Sequence, residues 1–221
     1  MTRSPIDHRV RRAAIRVLTP LALLSAAAAA GAAELPPDVL VKNVTTEVLE
    51  IIAKDKDLRA GDREKTIALV EEKVLPHFNF SRMTALAMAT YWDKASPEQK
   101  AQLTQEFRML LVRTYASSIS AYHDRRFDFR PLRANPGDTD VTVNVRVLQP
   151  GAQAVQIEYD MEKTQAGWKV WDVRVGGISL VLNYRTEFAN LARESGVEGV
   201  IRTVAAKNRS LEAASRAETK K

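Results

Sequence analysis

An α+β domain, with helices covering one face of a twisted antiparallel sheet of about four strands, is the fold the sequence predicts, and three observations predict it. Apolar residues recur at intervals of three and four up to Tyr122. They alternate with polar residues between Phe127 and Val175, and helical spacing returns from Leu182. Helices, then strands, then helices is the order expected when helices pack on one side of an antiparallel sheet.

The first helix follows Pro36 and Pro37, with Asp38 as its cap and Val41, Val44, Val48, Ile51 and Ile52 on one face. A second helix starts near Asp62, carries Ile67, Val70 and Val74, and stops at Pro76. Ser81 is expected to cap a short third helix holding Met83, Leu86, Ala87 and Thr90. The strongest local signal is Ser96, Pro97, Glu98, Gln99, a cap followed by proline at the first helical position and a glutamine placed to complete a capping box. The long helix it starts presents Leu103, Phe107, Leu110, Leu111, Thr114, Tyr115 and Ile119 as one wide stripe and ends near Tyr122.

Strands begin at Phe127 and Phe129. Val141, Val143, Val145 and Val147 alternate with polar residues, and after the turn at Pro150 and Gly151 so do Val155, Ile157, Tyr159 and Met161. The fourth strand runs from Trp168 to Val175, with Trp171, Val173 and Val175 expected on its apolar side. Gly176 and Gly177 are read as a bend from strand into helix. Two terminal helices follow, one with Leu182, Phe188 and Leu191 closed by Gly196, the other with Val200, Ile201 and Val204. The Ala, Ser, Glu and Lys-rich stretch 207–221 is expected to be a disordered tail.

Residues 1–33 have the order of a secretory signal peptide: Arg3, Arg9, Arg11, Arg12 and Arg16, then an apolar run from Val17, then the small residues Ala30, Gly31, Ala32 and Ala33. The run contains Pro20 and is too short to span a membrane. Cleavage is expected after Ala32 or Ala33, giving a soluble product outside the cytoplasm. The segment holds five of the 33 Lys and Arg but one of the 27 Asp and Glu, so what remains carries 28 basic against 26 acidic residues. A near-neutral body argues against a nucleic-acid footprint. There is no cysteine, hence no disulfide and no thiol for lipid attachment, and stability must come from a packed core.

Chemistry is sparse. Beyond residue 33 the only histidines are His77 and His123, both expected in capping or surface positions, so no metal site and no histidine-based triad is expected. No P-loop, dinucleotide fingerprint or nucleophile elbow is present. Carboxylate pairs such as Glu71 with Glu72 or Asp160 with Asp172 are read as solvated positions, not as an acid and base. The chain is therefore expected not to be an enzyme and to need no cofactor. What remains is apolar surface, which fits either ordinary core or the lining of a cavity.

Two stretches go beyond generic pattern. They are HFNFSRMTALAMATYWDKASPEQKAQLTQEFRMLLVRTYASSISAY, from His77 to Tyr122, and GWKVWDVRVGGISLVLNYRTEFANLARESGVEGVI, from Gly167 to Ile201. Together, in this order and at this separation, they resemble the MlaC family of periplasmic phospholipid-binding proteins, also called toluene-tolerance proteins. Gly176 departs from the acidic residue expected before GISLV in many relatives, so no role for a carboxylate is carried over there.

The resemblance implies a soluble periplasmic carrier, a monomer, whose domain at 34–206 holds phospholipid tails in an apolar cavity between sheet and helices. It implies lipid shuttling between outer and inner membranes that maintains outer-membrane lipid asymmetry. It also implies two partners, an outer-membrane lipoprotein with its porin and an inner-membrane ABC transporter complex with a substrate-binding ring. The apolar faces best placed to line the cavity are Phe107, Leu111, Tyr115, Val143, Val145, Ile157, Tyr159, Val173 and Val175, each of which fits sealed core equally well. Tyr184 and Arg185 are candidates near the headgroup or on a partner surface. Two rival readings stay open: a non-enzymatic envelope adaptor, which predicts no internal volume, and a small-substrate enzyme of cone-like α+β fold, which needs a catalytic pair pointing inward.

Overall fold

A computed structural model describes residues 35–219; the expected signal peptide lies outside the described residues. Helix α1 (Pro37–Lys54) begins with proline at its first position, and Asp38 stands in the first turn beside the positive helix end instead of capping it. A short α2 (Lys56–Arg59), not foreseen, forms because the Asp55 carboxylate accepts from the backbone N–H of Asp57 at 2.8 Å and of Leu58 at 3.1 Å. Asp62 caps α3 (Arg63–Lys73) through the Lys65 N–H at 2.9 Å, and Pro76 diverts the chain into the 3-10 turn Leu75–His77. Asn79, not Ser81, caps α4 (Phe80–Met88), its side chain accepting from Arg82 N–H at 3.1 Å. Helix α5 (Pro97–Ala121) starts at a reciprocal box: Ser96 Oγ accepts from Gln99 N–H at 3.2 Å, and Gln99 Oε1 accepts from Ser96 N–H at 3.1 Å.

The sheet is a meander of five antiparallel strands, β1 (Arg126–Phe129), β2 (Asp140–Leu148), β3 (Val155–Thr164), β4 (Gly167–Val175) and β5 (Ile178–Ser179), each paired with its chain neighbour. The expected count of about four is corrected by β5. Gly176 and Gly177 have φ of +58° and +83°, and two consecutive positive φ values make a two-residue hairpin turn that sets Ile178 opposite Val175. The glycine pair thus joins strand to strand.

A second correction lies in β4. Asp160 faces Asp172, but the next residue, Met161, faces Val170, so Trp171 is one residue too many and bulges. Side-chain parity flips there: Trp168 and Val170 share the apolar cluster with Val173, and Trp171 leaves it. Its ring lies 4.1 Å from the guanidinium carbon of Arg82, which pairs with Glu162 at 2.7 Å and Asp140 at 2.8 Å and ties α4 to the sheet.

A 3-10 turn, Leu182–Tyr184, leads into α6 (Arg185–Thr219), which is kinked at Ser195 and Gly196, where the expected break falls. The expectation of a disordered tail is overturned, because helix continues through residues 207–219 and docks on α5. Asn208 is 2% exposed, and its Nδ2 donates to the Glu106 carbonyl at 2.9 Å and carboxylate at 2.7 Å. Arg113 donates to the Asn208 carbonyl and pairs with Glu212 at 3.0 Å, while Leu211 packs on the helical core. Polar side chains do the docking that apolar residues do elsewhere, which is why composition misses it.

Two main cores result. One lies among α4, α5 and α6, around Phe107, Leu110, Phe188 and Val200; the other lies on the sheet, where Val143, Val145, Met161 and Val170 pack against Val41 of α1.

Candidate functional site

Between the sheet, α1 and α5 lies a cavity of about 470 Å³. Helix α1 contributes Leu40, Val41, Val44, Thr45, Val48 and Leu49, a spacing that keeps one helical face on the void. Helix α5 contributes Leu111, Val112, Tyr115, Ala116, Ser118 and Ile119, with Tyr122 just beyond its end. From the sheet come Val155, Ile157, Tyr159 and Met161 of β3, at period two, and Val170, Val173 and Val175 of β4, whose shared face depends on the Trp171 bulge. Phe78, Phe80 and Met83 add to the wall beside α4. The volume is in the range of ligand sites, and the few polar side chains in an apolar lining fit an amphiphile with a long hydrocarbon part.

Of the nine residues expected to line a cavity, the structure brings six to this wall: Leu111, Tyr115, Ile157, Tyr159, Val173 and Val175. The other three are sealed core. Phe107 is 1% exposed, edge-on to Tyr184 and Phe188 with ring centroids 5.2 Å away in each case. Val143 and Val145 are closed off because Leu40 and Val41 of α1 lie on β2, with Phe129 and Leu132 packing beside them. Tyr184 is also buried; its side chain faces that of Tyr115, and Lys207 Nζ lies 5.8 Å from its ring. Arg185 is exposed at the start of α6.

Sequence reasoning missed the α1 wall, where Val41, Val44 and Val48 read simply as core, and it missed Ser118, Tyr122 and His77. Nothing in periodicity separates a residue facing a void from one facing a neighbour. The only signal available was the scatter of Thr45, Ser118 and Tyr122 among apolar residues on faces that should be dry.

Neither carboxylate of the Asp160 and Asp172 pair reaches the cavity wall. Asp160 is held by Arg174 at 2.8 Å and Thr142 at 2.6 Å. Asp172, expected to be solvated, is 2% exposed and accepts from Val173 N–H at 2.8 Å; burial pushes its carboxyl above the usual range. Among the described residues no group of three or more His, Cys, Asp or Glu is placed to hold a metal ion, and no helix is long and apolar enough to cross a membrane.

His77 is half-buried on the wall. Burial, then the nearby Lys169 charge, holds its imidazole below the ordinary value of 6.5, with Glu47 opposing. Lys169 itself donates to the Pro76 carbonyl at 2.6 Å, and Glu47 pairs with Lys73 at 2.9 Å. Folding therefore disfavours the imidazolium. The stability this contributes is present above pH 6.5 and is lost as pH falls through the lower folded-state value. Urea midpoints measured between pH 7.5 and about pH 5 should fall less for His77→Gln than for the unaltered chain. Parallel curves for the two proteins would refute this assignment.

Comparison with known proteins agrees with the geometry. The model of the MlaC protein family matches residues 42–206. The toluene tolerance protein ttg2D of Pseudomonas putida is 24% identical over 188 residues, covering 85% of this chain and 84% of that protein. A crystal structure of a phospholipid-binding protein from Ralstonia solanacearum, in complex with a phospholipid at 1.53 Å resolution, superposes with a TM-score of 0.74 and 35% identity. That alignment covers 80% of this chain and 99% of the other. The fold, the cavity and the family match over most of the described residues converge, and this chain belongs to the MlaC protein family.

Proposed function

We propose that the chain is a periplasmic phospholipid carrier that holds acyl tails in the cavity between α1, α5 and the sheet. The observation that carries this reading is an apolar void of about 470 Å³ in a chain 35% identical to a protein solved with a phospholipid bound. The energetic need is plain. Each methylene exposed to water costs about 0.8 kcal/mol, so two tails of roughly 30 methylenes cost on the order of 20 kcal/mol. A lipid crosses an aqueous gap only if a protein shields the tails throughout and then yields them at the far side.

In this reading the carrier takes or delivers lipid at an outer-membrane lipoprotein with its porin and at an inner-membrane ABC transporter complex with a substrate-binding ring. It thereby keeps phospholipid out of the outer leaflet of the outer membrane. The six wall residues Leu111, Tyr115, Ile157, Tyr159, Val173 and Val175 contact the tails, and exposed Arg185 belongs to the outer surface available to partners. No reaction is assigned in this reading. The adaptor reading predicts no internal volume and has the cavity against it.

Native mass spectrometry of protein purified from the periplasm tests the proposal. One phospholipid per chain, exchangeable with lipid vesicles, is the expected result. An empty protein that also takes no lipid from vesicles would return the adaptor reading.

A further inference from the structure

The hydroxyl of Tyr159 belongs to a partly buried residue on an apolar stretch of the cavity wall. Its residue lies at the middle of β3, between Ile157 and Met161 on the cavity side, with Val143 and Val173 opposite it on the adjoining strands. All four neighbours on that face are apolar, so none offers an acceptor. Among the described residues no hydrogen bond reaches the Tyr159 hydroxyl, and it shares no ion pair or ring contact. Tyr115, across the cavity on α5, contrasts with it, because its hydroxyl faces the Tyr184 and Asn183 side chains. Burial alone pushes the Tyr159 phenol up to about 12, so the group stays protonated and is a donor at every physiological pH.

A tyrosine in an apolar wall normally finds a partner for its hydroxyl, and phenylalanine would fill the same space without one. In the loaded protein the acceptor is supplied by what occupies the void. We infer that the Tyr159 hydroxyl donates a hydrogen bond to an ester carbonyl of the bound lipid, setting how deep the glycerol end sits in the cavity. The inference rests on the carrier reading and adds to it a chemical preference: ester-linked tails over ether-linked ones, which lack the carbonyl. Hydrocarbon contacts with the wall do not distinguish the two linkages, whereas a hydroxyl donor does.

Tyr159→Phe removes one oxygen and keeps the ring, which makes it the informative variant. Purified, delipidated protein is titrated with a diester phosphatidylglycerol and with its di-O-alkyl counterpart of equal chain length. The unaltered chain should bind the diester about tenfold more tightly, a factor equal to 1.4 kcal/mol. In Tyr159→Phe that ratio should collapse toward one, chiefly through weaker diester binding. A preference that persists in Tyr159→Phe, or equal affinities in the unaltered chain, would overturn the inference while leaving the carrier reading intact. Failure of the unaltered chain to bind either lipid would overturn both. Thermal melts of the two empty proteins check folding independently of ligand; should Tyr159→Phe fail to fold, the diester-to-diether ratio of the unaltered chain decides alone.

Discussion

Ile157→Trp is expected to lower phospholipid affinity by roughly a hundredfold and to leave the purified protein empty. Ile157 stands on β3 with its side chain on the cavity, so an indole there takes space that tails would occupy. Displacing three or four methylenes at about 0.8 kcal/mol each accounts for a loss of this size. The fold itself should tolerate the change. Added bulk at a closed position costs about 1–3 kcal/mol because neighbours must move, whereas here it enters a void. Val143→Trp is the control: Val143 is 2% exposed beneath α1, and the same enlargement there should destabilise the protein outright. Lipid content by mass spectrometry and melting temperature, read on both variants, separate the two positions. Full lipid occupancy in Ile157→Trp would show that tails do not use this part of the cavity.

Phe107→Ala should have the largest effect on stability. Sequence pattern made Phe107 a candidate for the lipid wall, but the structure stacks its ring edge-on between Tyr184 and Phe188, at interplanar angles of 79° and 69°. Truncation leaves a hole where α4, α5 and α6 meet, at a cost of about 3–5 kcal/mol. For a domain of this size that lowers the melting temperature by roughly 10 °C. Protein that remains folded at low temperature should still carry lipid. An unchanged melt with lost lipid would put Phe107 back among the lining residues.

How much of this could be read beforehand depends on where the deciding interaction sits along the chain. Helix starts with a nearby polar partner were legible: Asp62 caps Lys65 three residues on, and Ser96 with Gln99 completes its own box. Asn79 outcompeted Ser81 because the turn after Pro76 places its side chain, not that of Ser81, over the free N–H groups. Strand alternation was equally local, up to the point where one extra residue, Trp171, reversed parity in β4. A bulge of this kind is set by the partner strand and by Arg82 on a distant helix, so no window of ten residues contains it. The docking of residues 207–219 is likewise decided by Glu106 and Arg113, a hundred residues away. The same holds for the cavity, where pattern could not tell the six residues that stand on its wall from Phe107, Val143 and Val145.

The meander has one further consequence, for the protein's behaviour at high concentration. A five-strand sheet has two open edges, and a valine-rich sheet with long open edges invites strands from other copies. Here the edge at β5 offers a ladder of only two residues, Ile178 and Ser179. The edge at β1 is four residues long, carries Arg126 and Asp128, and runs into Pro131, which has no N–H to donate. Strand β3 is paired on both sides, by β2 and β4, while β1 and β5 cover only the C-terminal ends of β2 and β4. The central strand is therefore occupied, and edge-to-edge addition is left with two short strands and the uncovered stretches of β2 and β4 as its templates.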